Sequence, residues 1–240
     1  NNYKEKMYSL LGMMAGRICL TTVKEEIDDI IEKVIEETDN IFNVDGMHIS
    51  RKPHIHFEIL KIIIEIQYLG KSSSIQHREK YDLIINKVTS CSKMLQHTDG
   101  SVVNFNGGSK FSKDLISQLI SKSNSTIKPY NGITKDGFAR MILKSTSIIF
   151  DAGNPNNNSE NWHAGTLSFE LSYRKNLIVV NNGFMNTETK WTKALRGTSA
   201  HSTISIDGKN SSNLDNYKKE GRIAHTTNKI FERTKDGFLA

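Results

Sequence analysis

The sequence has little cysteine, little proline and no long apolar run. Two cysteines, Cys19 and Cys91, among 240 residues exclude a disulfide scaffold and a four-thiolate zinc site. Three prolines and sixteen glycines exclude collagen-like and proline-rich disordered chains. No stretch approaches the roughly 20 consecutive apolar residues of a membrane-crossing helix, so no membrane span is expected. What remains is a chain with 37% hydrophobic and 24% charged residues, long enough to build a core without covalent staples.

Charge is unevenly placed. Residues 1–100 carry 13 Lys/Arg against 15 Asp/Glu, whereas residues 101–240 carry 19 against 11. The basic second part suits an acidic polymer. The same surplus is also what a composition rich in Lys, Asn and Ile writes without any partner. No basic helix or aromatic–basic sheet motif accompanies it, so no nucleic-acid partner is expected. The chain opens Asn1-Asn2-Tyr3, shows no signal-peptide pattern, and ends at Ala240 within a strand-like pattern. It reads as a piece of a longer protein.

Two halves differ in periodicity. Thr22 and Glu25 form a capping box, and Ile27, Ile30, Ile31, Val34 and Ile35 follow at helical spacing up to Asn40. Pro53 suits the first turn of a second helix whose stripe is Phe57, Leu60, Ile63, Ile64 and Tyr68, ended by Gly70. A third helix runs from about Ser74 to Leu95, and a shorter one from Ser112 to Ser121. Asp45-Gly46 and Asp99-Gly100 mark turns between such helices. Beyond the linker Thr126–Ile133, β-branched or alternating runs predict strands at 138–150, 167–173, 177–180, 202–206 and 223–231. The expected organisation is α+β: a helical part over 1–125, then an antiparallel β domain over 126–240.

Chemistry-bearing residues gather at predicted strand ends in the second half. His163 and His201 each stand between a polar loop and a strand, and Asn181-Asn182-Gly183 closes an apolar strand. Rigid sheets present functional groups at such places. Asn104, Asn106, Gly107 and Gly108 form a polar loop suited to lining a sugar cleft, with no Gly-Lys-Ser/Thr to make it a P-loop. Trp162 and Trp191 suit either stacking on sugar rings or packing.

Four separated strings fall in order: Phe150-Asp151-Ala152-Gly153, His163-Ala164-Gly165-Thr166-Leu167-Ser168-Phe169-Glu170, Leu177 to Gly183, and Thr198-Ser199-Ala200-His201. With Trp191 and Arg196 they resemble the heparinase II/III-like family. Asp45-Gly46-Met47-His48-Ile49-Ser50-Arg51-Lys52-Pro53 is similar to that family's toroid segment, and Asp99 to Gly108 to its later loop. The resemblance implies the C-terminal helices of an (α/α) toroid followed by the start of a β-sandwich-like sheet. It implies a polysaccharide lyase acting on uronic-acid units by β-elimination, in the bacterial periplasm or cell envelope.

Carried onto this sequence, the resemblance makes His163, His201 and His56 the catalytic candidates. Arg51, His48, Asn104, Asn106 and Trp162 become the substrate-binding ones. His163 is left as either a proton-transfer group or a ligand. His163, Asn181 and His201 stand where the family holds zinc or another divalent metal. Three departures are visible: Ile55 occupies the position of a catalytic tyrosine, Asn181 that of a ligand aspartate, and Gly165 that of another aspartate. They motivate the alternative of a glycan-binding envelope protein, non-catalytic or differently acting, on the same fold.

Overall fold

The computed structural model describes residues 2–20, 24–108, 111–154, 162–183, 190–212, 214, 232–233 and 238–239. The chain divides into two compact units that interleave in sequence. The first comprises Asn1–Ile49, Ile55–Lys93 and Asp114–Pro129. The second comprises Ser50–His54, Met94–Lys113 and Tyr130–Ala240.

Five helices come first: α1 (Tyr3–Leu20), α2 (Lys24–Ile41), α3 (Pro53–Leu69), α4 (Ile75–Met94) and α5 (Lys113–Lys122). In α2 the residues Ile27, Ile30, Ile31 and Val34 are buried, as the helical period requires. Pro53 opens α3, where its missing N–H costs nothing. Instead of one stripe, α3 buries Phe57, Ile59, Leu60, Ile62, Ile63, Ile64 and Ile66, so it is enclosed nearly all round. Tyr68, expected in that stripe, is exposed. In α4, Tyr81, Ile85, Val88 and Cys91 face inward, and the Tyr81 hydroxyl donates to Ile63 O at 2.9 Å. The Thr22 cap lies outside the described residues.

Two histidines belong to this helical core. His56 is fully buried; its Nδ1 accepts from the His48 backbone N–H at 3.4 Å, so its Nε2–H donates to Ser92 Oγ at 2.8 Å. The His48 ring is also buried, edge-on to Tyr3 and Phe42 at centroid separations of 5.6 and 5.5 Å.

The second unit is built on a four-stranded antiparallel meander, β1 (Phe138–Leu143), β2 (Thr146–Asp151), β3 (Ser168–Tyr173) and β4 (Asn176–Val179), in that spatial order. Helix α6 (Lys190–Arg196) and the short pair β5 (Glu232–Arg233) and β6 (Phe238–Leu239) follow. The single run expected over 138–150 is a hairpin. Leu143 pairs with Thr146 across Lys144-Ser145, and Lys144 adopts φ +52°. The same device joins β3 to β4, with Arg174 at φ +52°. No Gly or Asn advertises either turn.

Residues 202–206 do not form the expected strand. Their polar groups bond to other chain segments instead: the Ser202 N–H donates to Asn181 Oδ1 at 3.3 Å and Thr203 Oγ1 to Thr166 O at 2.6 Å. Such side-chain bonds replace a ladder. The strand expected at 223–231 lies outside the described residues.

One face of the sheet is buried and unusually polar. Along β2, Ser147, Ile149 and Asp151 turn inward; along β3, Ser168, Glu170 and Ser172 do so, in register with them. Residues of the 94–113 segment supply hydrogen bonds to this face, including Thr98 Oγ1 to Ser172 Oγ at 3.3 Å.

Burial lowers the His56 pKa from 6.5 to about 4, opposed by the Val88 carbonyl. The folded chain keeps this ring neutral while the unfolded chain protonates it. Stability is therefore complete above about pH 6.5 and falls as pH drops towards 4, by on the order of 3 kcal/mol from this residue. Urea midpoints measured across that window should show the acid loss, and His56→Gln should flatten it.

Candidate functional site

The site is built entirely from the second unit. Its base is a buried ion pair. Arg51, at φ +55°, sends one guanidinium nitrogen to Asp151 Oδ1 and another to Asn154 O. Asn106 donates to Asp151 Oδ2 at 2.8 Å and to Arg51 O at 2.9 Å. Burial raises the Asp151 pKa, while Arg51, Asn106 and the Gly153 N–H pull against it. The Asp-Ala-Gly string is explained by this cluster. Asp151 answers the guanidinium, and any Cβ on Gly153 would run into Asp136 O and the Arg51 guanidinium.

Four of the expected substrate-binding residues are therefore engaged in structure. Arg51 and Asn106 are buried in the ion-pair cluster. Trp162 is buried with the Arg51 guanidinium 5.7 Å from its ring, while Trp191 is the exposed indole. Asn104 offers its backbone N–H to Glu170 Oε1 at 2.8 Å. His48 and His56 lie in the helical core described above, away from the solvent a substrate arrives through.

His163, His201 and Asn181 do come together. His163 Nδ1 lies 3.2 Å from His201 Nε2, and His201 Nδ1 lies 3.0 Å from Asn181 Oδ1. The three form a line, with His201 in the middle. His163 is buried, whereas His201 keeps some exposure. Gly165 makes room for this arrangement: a Cβ there would stand 3.2 Å from the His201 ring. Burial lowers the His163 pKa to about 3, helped by repulsion between the two rings when both are protonated and by the positive charges of Arg196 and Lys52. Burial alone brings His201 to about 4. Both rings are neutral at physiological pH.

Two residues given no site role in the sequence reading support this line. Glu170 is completely buried and accepts from His97 Nε2 at 2.8 Å, Asn104 N at 2.8 Å, and both Asn181 N and Nδ2 at 3.3 Å. His97 is buried as well. A signal for Glu170 existed: it is a lone acid at an inward position of a strand that alternates.

The arrangement does not fit a three-ligand divalent-metal centre. Asn181 Oδ1 is engaged by His201 Nδ1, the ring nitrogen opposite the one that faces His163. Only two neutral imidazoles then converge, without a charged ligand. Among the described residues, no group of three or more His, Cys, Asp or Glu side chains is placed to hold a metal ion.

Comparison with known proteins places the sheet-bearing half. Residues 128–238 match the family model "Heparinase II/III-like, C-terminal". This part of the chain is similar to heparinase II/III-like C-terminal domains. The fold agrees: a solved heparinase III gene product superposes with a TM-score of 0.68 at 17% identity, over 85% of this chain and 37% of its own. The heparan sulfate lyase HepC from Pedobacter heparinus gives 0.57 at 16% identity, over 76% of this chain and 33% of its own. FtsZ-localized protein C of Caulobacter vibrioides is 23% identical over 182 residues, 75% of this chain and 31% of that protein. The chain spans about a third of the length of each of these relatives. Helices followed by an antiparallel sheet, the expected α+β organisation, are thus the heparinase III type of fold. Among the described residues, no helix is long and apolar enough to cross a membrane.

Removing one partner of the Arg51–Asp151 pair strands a buried charge. Asp151→Ala should therefore lower the unfolding free energy by about 3–5 kcal/mol, measured by urea denaturation. The double variant Arg51→Met/Asp151→Leu should lose less.

Proposed function

We propose that this chain is part of a polysaccharide lyase that cleaves an acidic, uronate-containing glycan by β-elimination. The observation that carries the reading is the meeting of His163, His201 and Asn181, from separated family motifs, on the heparinase II/III-like domain. Helices α1 to α5 would then be the end of an (α/α) toroid. The positive charges of Arg196 and Lys52 near His163 suit a carboxylate or sulfate, as does the basic surplus of residues 101–240.

Elimination needs three services: neutralisation of the uronate carboxylate, removal of the C5 proton, and protonation of the leaving glycosidic oxygen. Imidazoles with pKa values of about 3 and 4 are neutral near pH 7 and carry no proton to give as an acid. In this reading the pair binds and orients the sugar. The proton-transfer groups come from other parts of the whole protein, since Ile55 replaces the tyrosine that the family resemblance leads one to expect.

A second reading is favoured by those same replacements and by the likeness to FtsZ-localized protein C. It is a glycan-binding protein of the cell envelope that keeps the fold without elimination chemistry.

The two separate in one assay. Full-length protein is incubated with heparan sulfate, alginate and hyaluronan while the ultraviolet absorbance of the unsaturated product is followed. The lyase reading expects growth of that absorbance on at least one polymer, and a loss on the order of a hundredfold in His201→Ala. Binding without any absorbance change supports the second reading.

A further inference from the structure

The hydrogen bonds around Asn181 fix which ring nitrogens carry protons. Asn181 Oδ1 faces the Ser202 N–H at 3.3 Å, which can only donate. Asn181 Nδ2 faces Phe169 O at 3.5 Å, a carbonyl that can only accept, and donates to Glu170 Oε1 at 3.3 Å. The amide therefore has one orientation, with its oxygen towards His201. His201 Nδ1 must donate to it, which leaves His201 Nε2 as a lone pair. That lone pair faces His163 Nδ1, so His163 Nδ1 carries a proton too. The last atom in the line, His163 Nε2, is buried and has no hydrogen-bond partner among the described residues.

The order of this line is set from its other end. Glu170 takes both the backbone N–H and the side-chain amide of Asn181, and His97 together with the Asn104 N–H holds Glu170 in place. We propose that Glu170 is the positioning residue of the histidine pair: it holds Asn181 so that both rings keep their protons on Nδ1 and the free lone pair stands at His163 Nε2. A pair set this way accepts a hydrogen bond from a ligand at its far end and offers none there. The class of ligand is a hydroxyl-bearing sugar, and this last step alone rests on the lyase reading.

Nitrogen-15 NMR of the histidine side chains in the intact chain tests the proposal without substrate, so a failed lyase assay leaves it standing. The wild type should show His163 and His201 as Nδ1–H tautomers. In Glu170→Gln the side-chain oxygen can still accept from Asn181, so both should persist. The new amide would face His97 Nε2, and His97 should move its proton to Nδ1. In Glu170→Leu the fixed tautomers should be lost, with Nε2–H signals appearing at His201. An Nε2–H ring at His163 or His201 in the wild type overturns the proposal, as does an unchanged pair in the leucine variant. Should the leucine variant fail to fold, loss of the Nδ1–H signals in Glu170→Gln overturns it equally.

Discussion

A carboxylate with no exposure to water organises the sheet-bearing unit. Burying Glu170 is costly unless every lone pair finds a donor, and four donors are supplied. Each comes with a segment attached. His97 and Asn104 bring the 94–113 segment onto the inner face of the sheet, and Asn181 brings the end of β4. From Asn181 the order passes to His201 and then His163. The polar inner face of β2 and β3 is thus the means by which three loops are fixed relative to one another.

The Arg51–Asp151 pair does the same at the other edge of that face. It ties residues 50–54 to the end of β2 and recruits Asn106 from the intervening loop. Arg51 holds a left-handed backbone conformation to do so, a strain of order 1–3 kcal/mol that the buried cluster must offset. Its side chain is consequently bound up in structure, and the cations whose charge reaches His163 are Arg196, which donates to Trp162 O, and Lys52.

Much of this was legible in the sequence, and the failures have physical causes. Helical spacing located α2, α3, α4 and α5 because each buries an apolar face. The sheet was harder to read. Two hairpin turns place Lys144 and Arg174 at positive φ, where glycine or asparagine would have signalled them, so β1 and β2 read as one run. Residues 202–206 alternate like a strand yet satisfy their polar groups through side chains. The motif positions singled out His163, Asn181 and His201, which the structure sets in one line, but spacing cannot show which ring nitrogen faces which neighbour. Asn181 therefore read as a ligand when it sits behind His201. Glu170 and His97 were invisible as a pair because 73 residues separate them.

The account stands on the coupling between that buried carboxylate and the groups around it. A double-mutant cycle of Glu170→Gln with His97→Ala, read by urea denaturation, measures it most directly. An interaction free energy of about 1–3 kcal/mol is the result predicted for members of one buried network. Additivity to within a few tenths of a kcal/mol would contradict it.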